Sequence, residues 1–235
     1  EIGRKMERGM RIFAESFFPI LKSGLKMTIP LTLLVFFLGT ILAIFVAIIR
    51  IKKVKVLSQI AAIYVWIISG TPLLVQLFIV FFGLPKIGII IDAIPAAIFT
   101  FTLSVGAYSS EIVRSAILSV PKGQWEAAEA LGFSYFKTMV NVILPQATKV
   151  AIPPLFNSFI SLVKDTSLAS TITVTEMFLT TQRITARTYE PFILYIEVGL
   201  IYLMFCTILT LLQNKIEKKL EKSNKKPMIK GEVNV

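Results

Sequence analysis

Apolar residues gather along this chain in long runs that carry almost no charge and are separated by short charged stretches. An α-helix rises about 1.5 Å per residue, so about 20 apolar residues are needed to cross about 30 Å of hydrocarbon. Four runs are long enough, over residues 28–49, 56–82, 93–113 and 191–212. A fifth run, over residues 146–164, contains Pro153 and Pro154 and by length alone also fits a re-entrant segment.

The charge on the connections indicates how many of these runs cross, because cytoplasmic loops carry an excess of Lys and Arg. Residues 213–235 hold seven lysines, and residues 50–55 hold three lysines and one arginine. These two basic stretches lie on the same side of the membrane only if residues 146–164 also cross. We therefore predict five spans, with the N-terminus outside, the C-terminus in the cytoplasm, and residues 119–145 also in the cytoplasm.

The N-terminal segment, residues 1–27, is basic, and this topology places it outside, against the same rule. Met6, Met10, Phe13 and Phe17 recur at helical spacing, which predicts an amphipathic helix lying along the membrane surface. A frayed basic tail explains the charge equally well. The chain is thus divided into this segment, a membrane region over residues 28–212 and a basic tail over residues 213–235.

Composition narrows the class of protein further. The chain is 55% hydrophobic with a net charge of +11, which favours a protein covered by membrane lipid. Its basic residues lie between apolar runs and not on one face with aromatic residues, so nucleic-acid binding is not expected. With no His and one Cys, Cys206, neither a disulfide framework nor a Cys/His metal site is expected. The phosphate-binding pattern G-x-x-x-x-G-K-[ST] does not occur in the sequence, so the chain itself is not expected to bind ATP.

The segment 119–145, between the third and fourth predicted spans, reads as two short helices. Pro121 suits the start of the first helix, and Gly132 suits the left-handed residue that ends it. Ser134 can cap the second helix, and Pro145 is expected to interrupt it. The result is a compact projection into the cytoplasm.

One face of the first helix suits contact with a partner protein. Ala127 and Ala128 allow a partner's backbone to approach closely, while Glu126 and Trp125 offer a charge and an apolar anchor. An ordinary amphipathic helical hairpin is the alternative interpretation.

The spacing of this segment resembles the cytoplasmic coupling motif of binding-protein-dependent ABC importer permeases. The matching residues are Glu126, Ala127, Ala128, Gly132, Leu144 and Pro145, with Val142 at a position often filled by Ile. The resemblance implies an all-α integral membrane protein with five transmembrane helices, in which the Glu126 helix docks into a groove of a separate ATPase subunit. It also implies that ATP and Mg²⁺ are bound by that ATPase, present in two copies, and that this chain binds no cofactor and is not an enzyme.

Further partners follow from the same resemblance. The family assembles with an extracytoplasmic solute-binding protein and with a second permease protomer, most simply an identical copy, in the bacterial cell membrane. One protomer encloses only half of a translocation path. Substrate released by the binding protein then enters an outward-open cavity, and nucleotide-driven motion alternates access.

Three other stretches are similar to polar amino-acid permeases: residues 70–78, 106–114 and 164–168. The closest likeness is to cystine permeases, through residues 65–68 and 162–170. The chain departs from the family pattern at Ser69, where Arg is common, and at Ser110, where Ala is expected. L-Cystine is the expected substrate, with glutamine, glutamate, arginine or histidine as alternatives.

Polar residues at membrane depth are the candidates for the substrate pathway, because charges there generally pair or line a cavity. The candidates are Gly70, Thr71, Pro72, Gln76, Glu111, Lys164, Asp165, Thr166 and Ser167. Glu111 and Arg114 are spaced for an ion pair, and a structural role is favoured for them. Lys164 and Asp165 either brace a helix break or meet the charges of an amino acid.

The role of the polar residues in the last span, and in the link before it (residues 166–190, called the outer link), stays open. Glu176, Gln182, Arg183 and Arg187 either contact a binding protein or form a solvated face, and Glu197 is equally open. Two other functions stay as alternatives: an ATP-independent transporter or channel for small polar solutes, and an intramembrane enzyme. The coupling motif argues against the channel. The enzyme is disfavoured because the chain has no His, one Cys and acids scattered over different spans.

Overall fold

The computed structural model describes residues 2–224, with side chains described for residues 7–220. All regular elements in this part of the chain are helices, joined by short connections, as the apolar runs predict. In chain order the helices are α1 (Ile2–Ser23), α2 (Ile29–Ile51), α3 (Lys55–Gly70), α4 (Leu73–Phe78), α5 (Ala93–Leu118), α6 (Lys122–Ala130), α7 (Tyr135–Thr138), α8 (Leu144–Asp165), α9 (Met177–Thr188) and α10 (Pro191–Asn224).

Within these residues, three π-helical turns each end two positions before a proline. The turns are Gly24–Thr28, Ile79–Gly83 and Met139–Ile143, and the prolines are Pro30, Pro85 and Pro145. Proline lacks an N–H, and its ring clashes with the carbonyl one turn earlier, so a locally wider helix relieves the misfit.

The wider turn keeps the chain helical from α7 into α8. The expectation that Pro145 interrupts a short second helix is therefore wrong, because the π-helical turn before the proline absorbs the clash. One helical path leads from Tyr135 to Asp165. Its 31 positions at about 1.5 Å each make it about 46 Å long.

The predicted second span, residues 56–82, is not one straight helix. It is divided into α3 and α4, which are bent by 107° relative to each other. Thr71 between them is extended (φ −121°, ψ 146°), because a proline disfavours the α conformation in the residue before it. Glycine and proline in Gly70, Thr71 and Pro72 predict a kink in this span, and the structure has a sharp bend there.

Among the described residues, three helical runs are long and apolar enough to cross a membrane: Glu7–Ile51, Ala93–Leu118 and Pro191–Leu220. The bent pair of α3 and α4 makes a possible fourth. The first run has 45 residues, so at about 68 Å it extends beyond the hydrocarbon. α8 has 22 residues, and its crossing remains the prediction on which five spans depend.

The helices continue without a break across both predicted boundaries, at residues 27–28 and at residues 212–213. The N-terminal segment continues through a π-helical turn into α2, and the position of this segment relative to the membrane stays a prediction. α10 likewise continues past residue 212 to Asn224. The rest of the predicted basic tail, residues 225–235, lies outside the described residues.

The centre of the fold is the close packing of α2 against α5. A Cβ atom at Gly39 would lie 2.5 Å from Val105 Cγ1, and one at Gly106 would lie 2.6 Å from Leu42 Cδ2. The two glycines therefore let the backbones approach, as small residues commonly do between membrane helices. Val35 and other buried residues extend this core.

Candidate functional site

The helix α6 ends in the way that its sequence predicts. Gly132 has φ +75°, and its N–H donates to the carbonyl of Glu129 at 2.8 Å. The N–H of Phe133 donates to the carbonyl of Ala128 at 3.0 Å. Together these bonds form a Schellman motif, which satisfies two carbonyls at the end of the helix and reverses the chain direction.

The second half of the segment joins α6 to α8. Ser134 caps α7, since its hydroxyl accepts the N–H of the residue three positions on at 3.4 Å. Leu144 and Pro145 are exposed at the start of α8. The side-chain amide of Gln146 donates to Gln124 Oε1 at 3.2 Å, which links the two helices.

Trp125 faces the chain's own helices, although the sequence suggests it as an anchor for a partner. Its ring stacks on Tyr135 with a centroid separation of 5.8 Å, and the Lys52 ammonium lies 5.7 Å from the Tyr135 ring centroid. Trp125 also packs against an apolar cluster that includes Ile143 and Ala147. It therefore fixes α6 to α8, and Ala128 is buried beside it.

The outward face of α6 carries the residues left for a partner. Glu126 and Ala127 are exposed, and Glu126 forms no hydrogen bond or ion pair with any described residue. Leu131 is 76% exposed next to Gly132. The sequence analysis did not single out Leu131, although an apolar residue beside a helix-ending glycine, in a polar segment between two predicted spans, is a usable signal.

Glu111 joins the ends of two helices. Its Oε2 accepts Arg114 Nη2 at 3.0 Å on the same helix, as the spacing predicts, and its Oε1 accepts Arg50 Nη1 from the end of α2. All three side chains are partly exposed. The arrangement favours the structural role, and Arg50 is the partner that the sequence did not reveal.

Gln76 holds the break between α3 and α4. Its side-chain Nε2 donates to the carbonyl of Ile68 at 2.8 Å and lies 3.1 and 2.9 Å from the carbonyl and hydroxyl oxygens of Thr71. Gln76 is buried, whereas Gly70, Thr71 and Pro72 are exposed at the bend. The amide thus caps the carbonyl end of α3, where helix carbonyls would otherwise lack donors.

Lys164 and Asp165 end α8. Lys164 is exposed and Asp165 is half-buried, and no ion pair between them occurs among the described residues. Thr166 is buried, and its hydroxyl donates to the carbonyl of Val163 at 2.7 Å. Ser167 is half-buried in the 3₁₀-helix that follows.

The carboxyl group of Glu176 is fully buried, so the expectation of a solvated or partner-facing residue is wrong for it. Its two oxygens accept the N–H groups of Phe178 at 2.8 Å and Leu179 at 2.7 Å and the hydroxyl of Tyr202 at 2.9 Å. Burial raises the pKa of this carboxyl, while the three hydrogen bonds act in the opposite direction. The carboxyl caps α9 and ties it to α10.

Glu197 is likewise buried, and Ser16 Oγ on α1 donates to its Oε2 at 2.5 Å. Two arginines of the outer link, Arg183 and Arg187, are exposed. They line a cavity of about 380 Å³ between α1 and α9 together with Glu15. These arginines remain available to a charged partner.

Metal ligands do not cluster in the part of the chain that the structure describes. There, no group of three or more His, Cys, Asp or Glu side chains is placed to hold a metal ion. Cys206 is a free, half-buried thiol on α10. Most of the candidate polar residues instead bind backbone groups or each other across helices.

Comparison with known proteins gives one matching family model, described as binding-protein-dependent transport system inner membrane component, over residues 26–222. The chain is 51% identical to the L-cystine transport system permease protein TcyB of Bacillus subtilis over 209 residues, which cover 88% of this chain and 89% of that protein. It is 43% identical to a probable amino-acid ABC transporter permease protein, YckA, of the same organism over 202 residues, covering 86% and 89% of the two chains.

A solved structure is also similar. It is a crystal structure of an amino acid ABC transporter with histidines, which matches with a TM-score of 0.82 at 34% sequence identity. The match covers 86% of this chain and 95% of that one.

Proposed function

The chain belongs to the binding-protein-dependent transport system inner membrane component family and is the membrane permease subunit of an amino-acid ABC importer; from this premise we propose that its substrate is L-cystine. It is a multi-pass membrane protein and not an enzyme, since ATP is hydrolysed by a separate subunit. Family membership decides against the channel and the intramembrane enzyme. The substrate proposal is supported by the 51% identity to an L-cystine permease over 88% of the chain.

Competition between amino acids tests the substrate. The complete transporter is reconstituted in vesicles with ATP inside the compartment that holds the ATPase, and uptake of radiolabelled L-cystine is measured. We expect unlabelled cystine to suppress uptake and a tenfold excess of glutamine, glutamate, arginine or histidine to have little effect. ATP-driven uptake of one of these four in preference to cystine would show that the substrate assignment is wrong.

The assembly proposed for this chain has two permease protomers, most simply identical, two ATPase subunits that bind ATP and Mg²⁺, and one extracytoplasmic solute-binding protein. The coupling segment and the C-terminal tail lie in the cytoplasm, and the N-terminus lies outside. Arg183 and Arg187 are available at the outer link for acidic groups of the binding protein.

The coupling mechanism follows from how α6 is held. Its exposed face, with Glu126, Ala127 and Leu131, docks on the ATPase, while Trp125 fixes its other side to α8. Because the chain is helical without interruption from Tyr135 to Asp165, a displacement of α6 is passed along α8 as a rigid-body motion.

A single substitution tests the docking surface. Ala127→Asp places a charge where a partner's backbone is expected to approach, and we expect the ATPase to be lost when the tagged chain is purified in mild detergent. Glu129→Lys is the matched control, because a residue two positions along a helix points about 160° away. Equal retention of the ATPase by both variants would remove Ala127 from the interface.

Fewer residues are available to contact the substrate than the sequence suggests. Gln76, Glu111 and Thr166 are engaged in holding helices. We therefore assign contact with the amino acid to Lys164 and Asp165 at the end of α8 and to Ser167 in the 3₁₀-helix that follows. Asp165→Asn is expected to raise the KM for uptake several-fold without releasing the ATPase. An unchanged KM in both Asp165→Asn and Lys164→Ala would favour a purely structural role.

A further inference from the structure

An apolar groove of about 530 Å³ lies between α2 and α8, beside the coupling segment. Aliphatic side chains form most of its wall, among them Ile44 and Ile48 of α2 and Ile152 and Leu155 of α8. No Asp or Glu lines it. A zwitterionic amino acid would lose its hydration there without gaining partners, so the groove is unsuited to the transported substrate.

The coupling segment closes one wall of this groove. Tyr135, Phe136 and Val140 all line it, and Phe136 is 75% exposed. An aromatic side chain left open in a groove of a membrane protein is an expected contact for a hydrocarbon chain. The groove therefore adjoins the coupling segment directly.

The mouth of the groove is cationic. Lys52 lines it, and the ammonium of Lys52 lies over the Tyr135 ring. Lys53 and Lys55 are exposed close by in sequence, and among the described residues no carboxylate pairs with these three lysines. Thus a positive charge without a carboxylate partner among the described residues lies at the end of the apolar groove.

We propose that this groove binds an anionic phospholipid, with an acyl chain along α8 and the phosphate group at Lys52. An apolar wall can bind a hydrocarbon chain without polar partners. A phosphate group supplies the negative charge that can pair with the Lys52 ammonium. The proposal rests on the proposed function in one respect, the placement of Lys52 and the coupling segment at the cytoplasmic leaflet. Basic pockets between membrane helices on that side are suited to anionic headgroups.

The test is lipid binding to the purified permease–ATPase complex, counted by native mass spectrometry during titration with phosphatidylglycerol or phosphatidylcholine. We expect phosphatidylglycerol to be retained in preference. Lys52→Ala is expected to weaken its binding about fivefold, which is the effect of removing one lysine near an anionic lipid. Lys55→Ala is the matched control, because Lys55 does not line the groove, and should change binding less than twofold.

A second variant separates the groove from the surface charge. Thr148 is exposed and lines the groove, so Thr148→Trp fills it from a tolerant position and should abolish retention of the lipid. Full retention by Thr148→Trp, equal binding of the two lipids, or equal effects of the two lysine variants would each overturn the proposal.

A second copy of the chain is the competing occupant. In a Cys206→Ser background, which removes the single natural cysteine, Thr148→Cys is oxidised in native membranes. A disulfide-linked dimer would show that a second protomer covers the groove and would overturn the lipid assignment; we expect the chain to stay monomeric on a non-reducing gel. Lipid retention is measured without transport, so a wrong substrate assignment leaves these results unchanged.

Discussion

Two links between helices, the coupling segment over residues 119–145 and the outer link over residues 166–190, place their acidic groups in opposite surroundings. Glu176 of the outer link is fully buried and accepts three hydrogen bonds. Glu126 of the coupling segment is exposed and has no partner among the described residues. Both links are largely helical and similar in length, so length and secondary structure do not distinguish them.

The packing around the two links explains the difference. The outer link is clamped between α1 and α10, where Ile20, Met177 and Ile201 form one buried cluster. The coupling segment is attached along one side only, through Trp125 and the helix that continues into α8. A link enclosed by its own chain holds the fold, whereas a link attached on one side leaves a surface for a second protein.

The largest expected effect comes from removing the buried carboxylate. Glu176→Ala leaves three donors without an acceptor, so we expect the free energy of unfolding to fall on the order of 3–5 kcal/mol. The same change at Glu126 should alter it by less than about 0.5 kcal/mol. Thermal unfolding of the two purified variants in detergent measures both values.

The two glutamates, Glu126 and Glu176, are also expected to differ in their effect on ATPase binding. Glu126→Ala should keep its stability and reduce copurification of the ATPase, while Glu176→Ala should be purified in lower yield and unfold at a lower temperature. If both variants lost stability equally, the contrast between an enclosed link and a one-sided link would be wrong.

An intermediate effect is expected at the glycine that ends α6. Gly132→Val forces a β-branched residue into the left-handed conformation, which costs about 1–2 kcal/mol. A Cβ atom there would meet nothing within 4 Å, so the cause is conformational and not steric. We expect membrane insertion to be retained and ATP-driven uptake to fall, as measured in membrane fractions and vesicles.

Gly123 provides the matched control for this substitution. It lies within α6, does not have a positive φ, and also has open space around it. Gly123→Val should therefore leave uptake close to normal. Preserved uptake in Gly132→Val would remove the helix end from the coupling role.

The smallest effect on stability is expected at the apolar tip of the coupling segment. Leu131→Ser changes a side chain that is 76% exposed, so the free energy of unfolding should move by less than about 0.5 kcal/mol. Because Leu131 is proposed to contact the ATPase, the affinity of the Leu131→Ser permease for the ATPase should fall about tenfold. A pull-down titration measures this affinity. Unchanged affinity would restrict the interface to the Glu126 side of α6.

Local features of the candidate site could be predicted from sequence, and contacts between distant segments could not. The left-handed Gly132 and the capping Ser134 follow from residue chemistry within a few positions. Arg50 lies 61 residues from Glu111, and no pattern near either residue indicates that they meet. The same holds for Tyr202, whose hydroxyl reaches Glu176 across 26 residues.

Pro72 and Pro145 also show a structural difference that could not be predicted from the sequence. A proline in a helical pattern predicts a misfit, and Pro72 and Pro145 both produce one. The backbone at Pro72 breaks and bends by 107°, whereas the backbone before Pro145 widens and stays helical. At Pro72 the break is held by the Gln76 side chain. The same residue type is thus accompanied by two different backbone responses, which the local sequence pattern does not distinguish.

The sequence by itself determined the membrane class and the helical content, because long apolar runs report them directly. It also predicted the family, through the resemblance of residues 126–145 to a known motif. Only the tertiary structure decided that Glu176 is enclosed, that Trp125 faces inward, and that one helical path joins the coupling segment to Asp165. The physical reason is that burial and hydrogen bonding depend on which helices become neighbours. That arrangement is fixed by packing such as the close approach of α2 and α5 at Gly39 and Gly106, far apart along the chain.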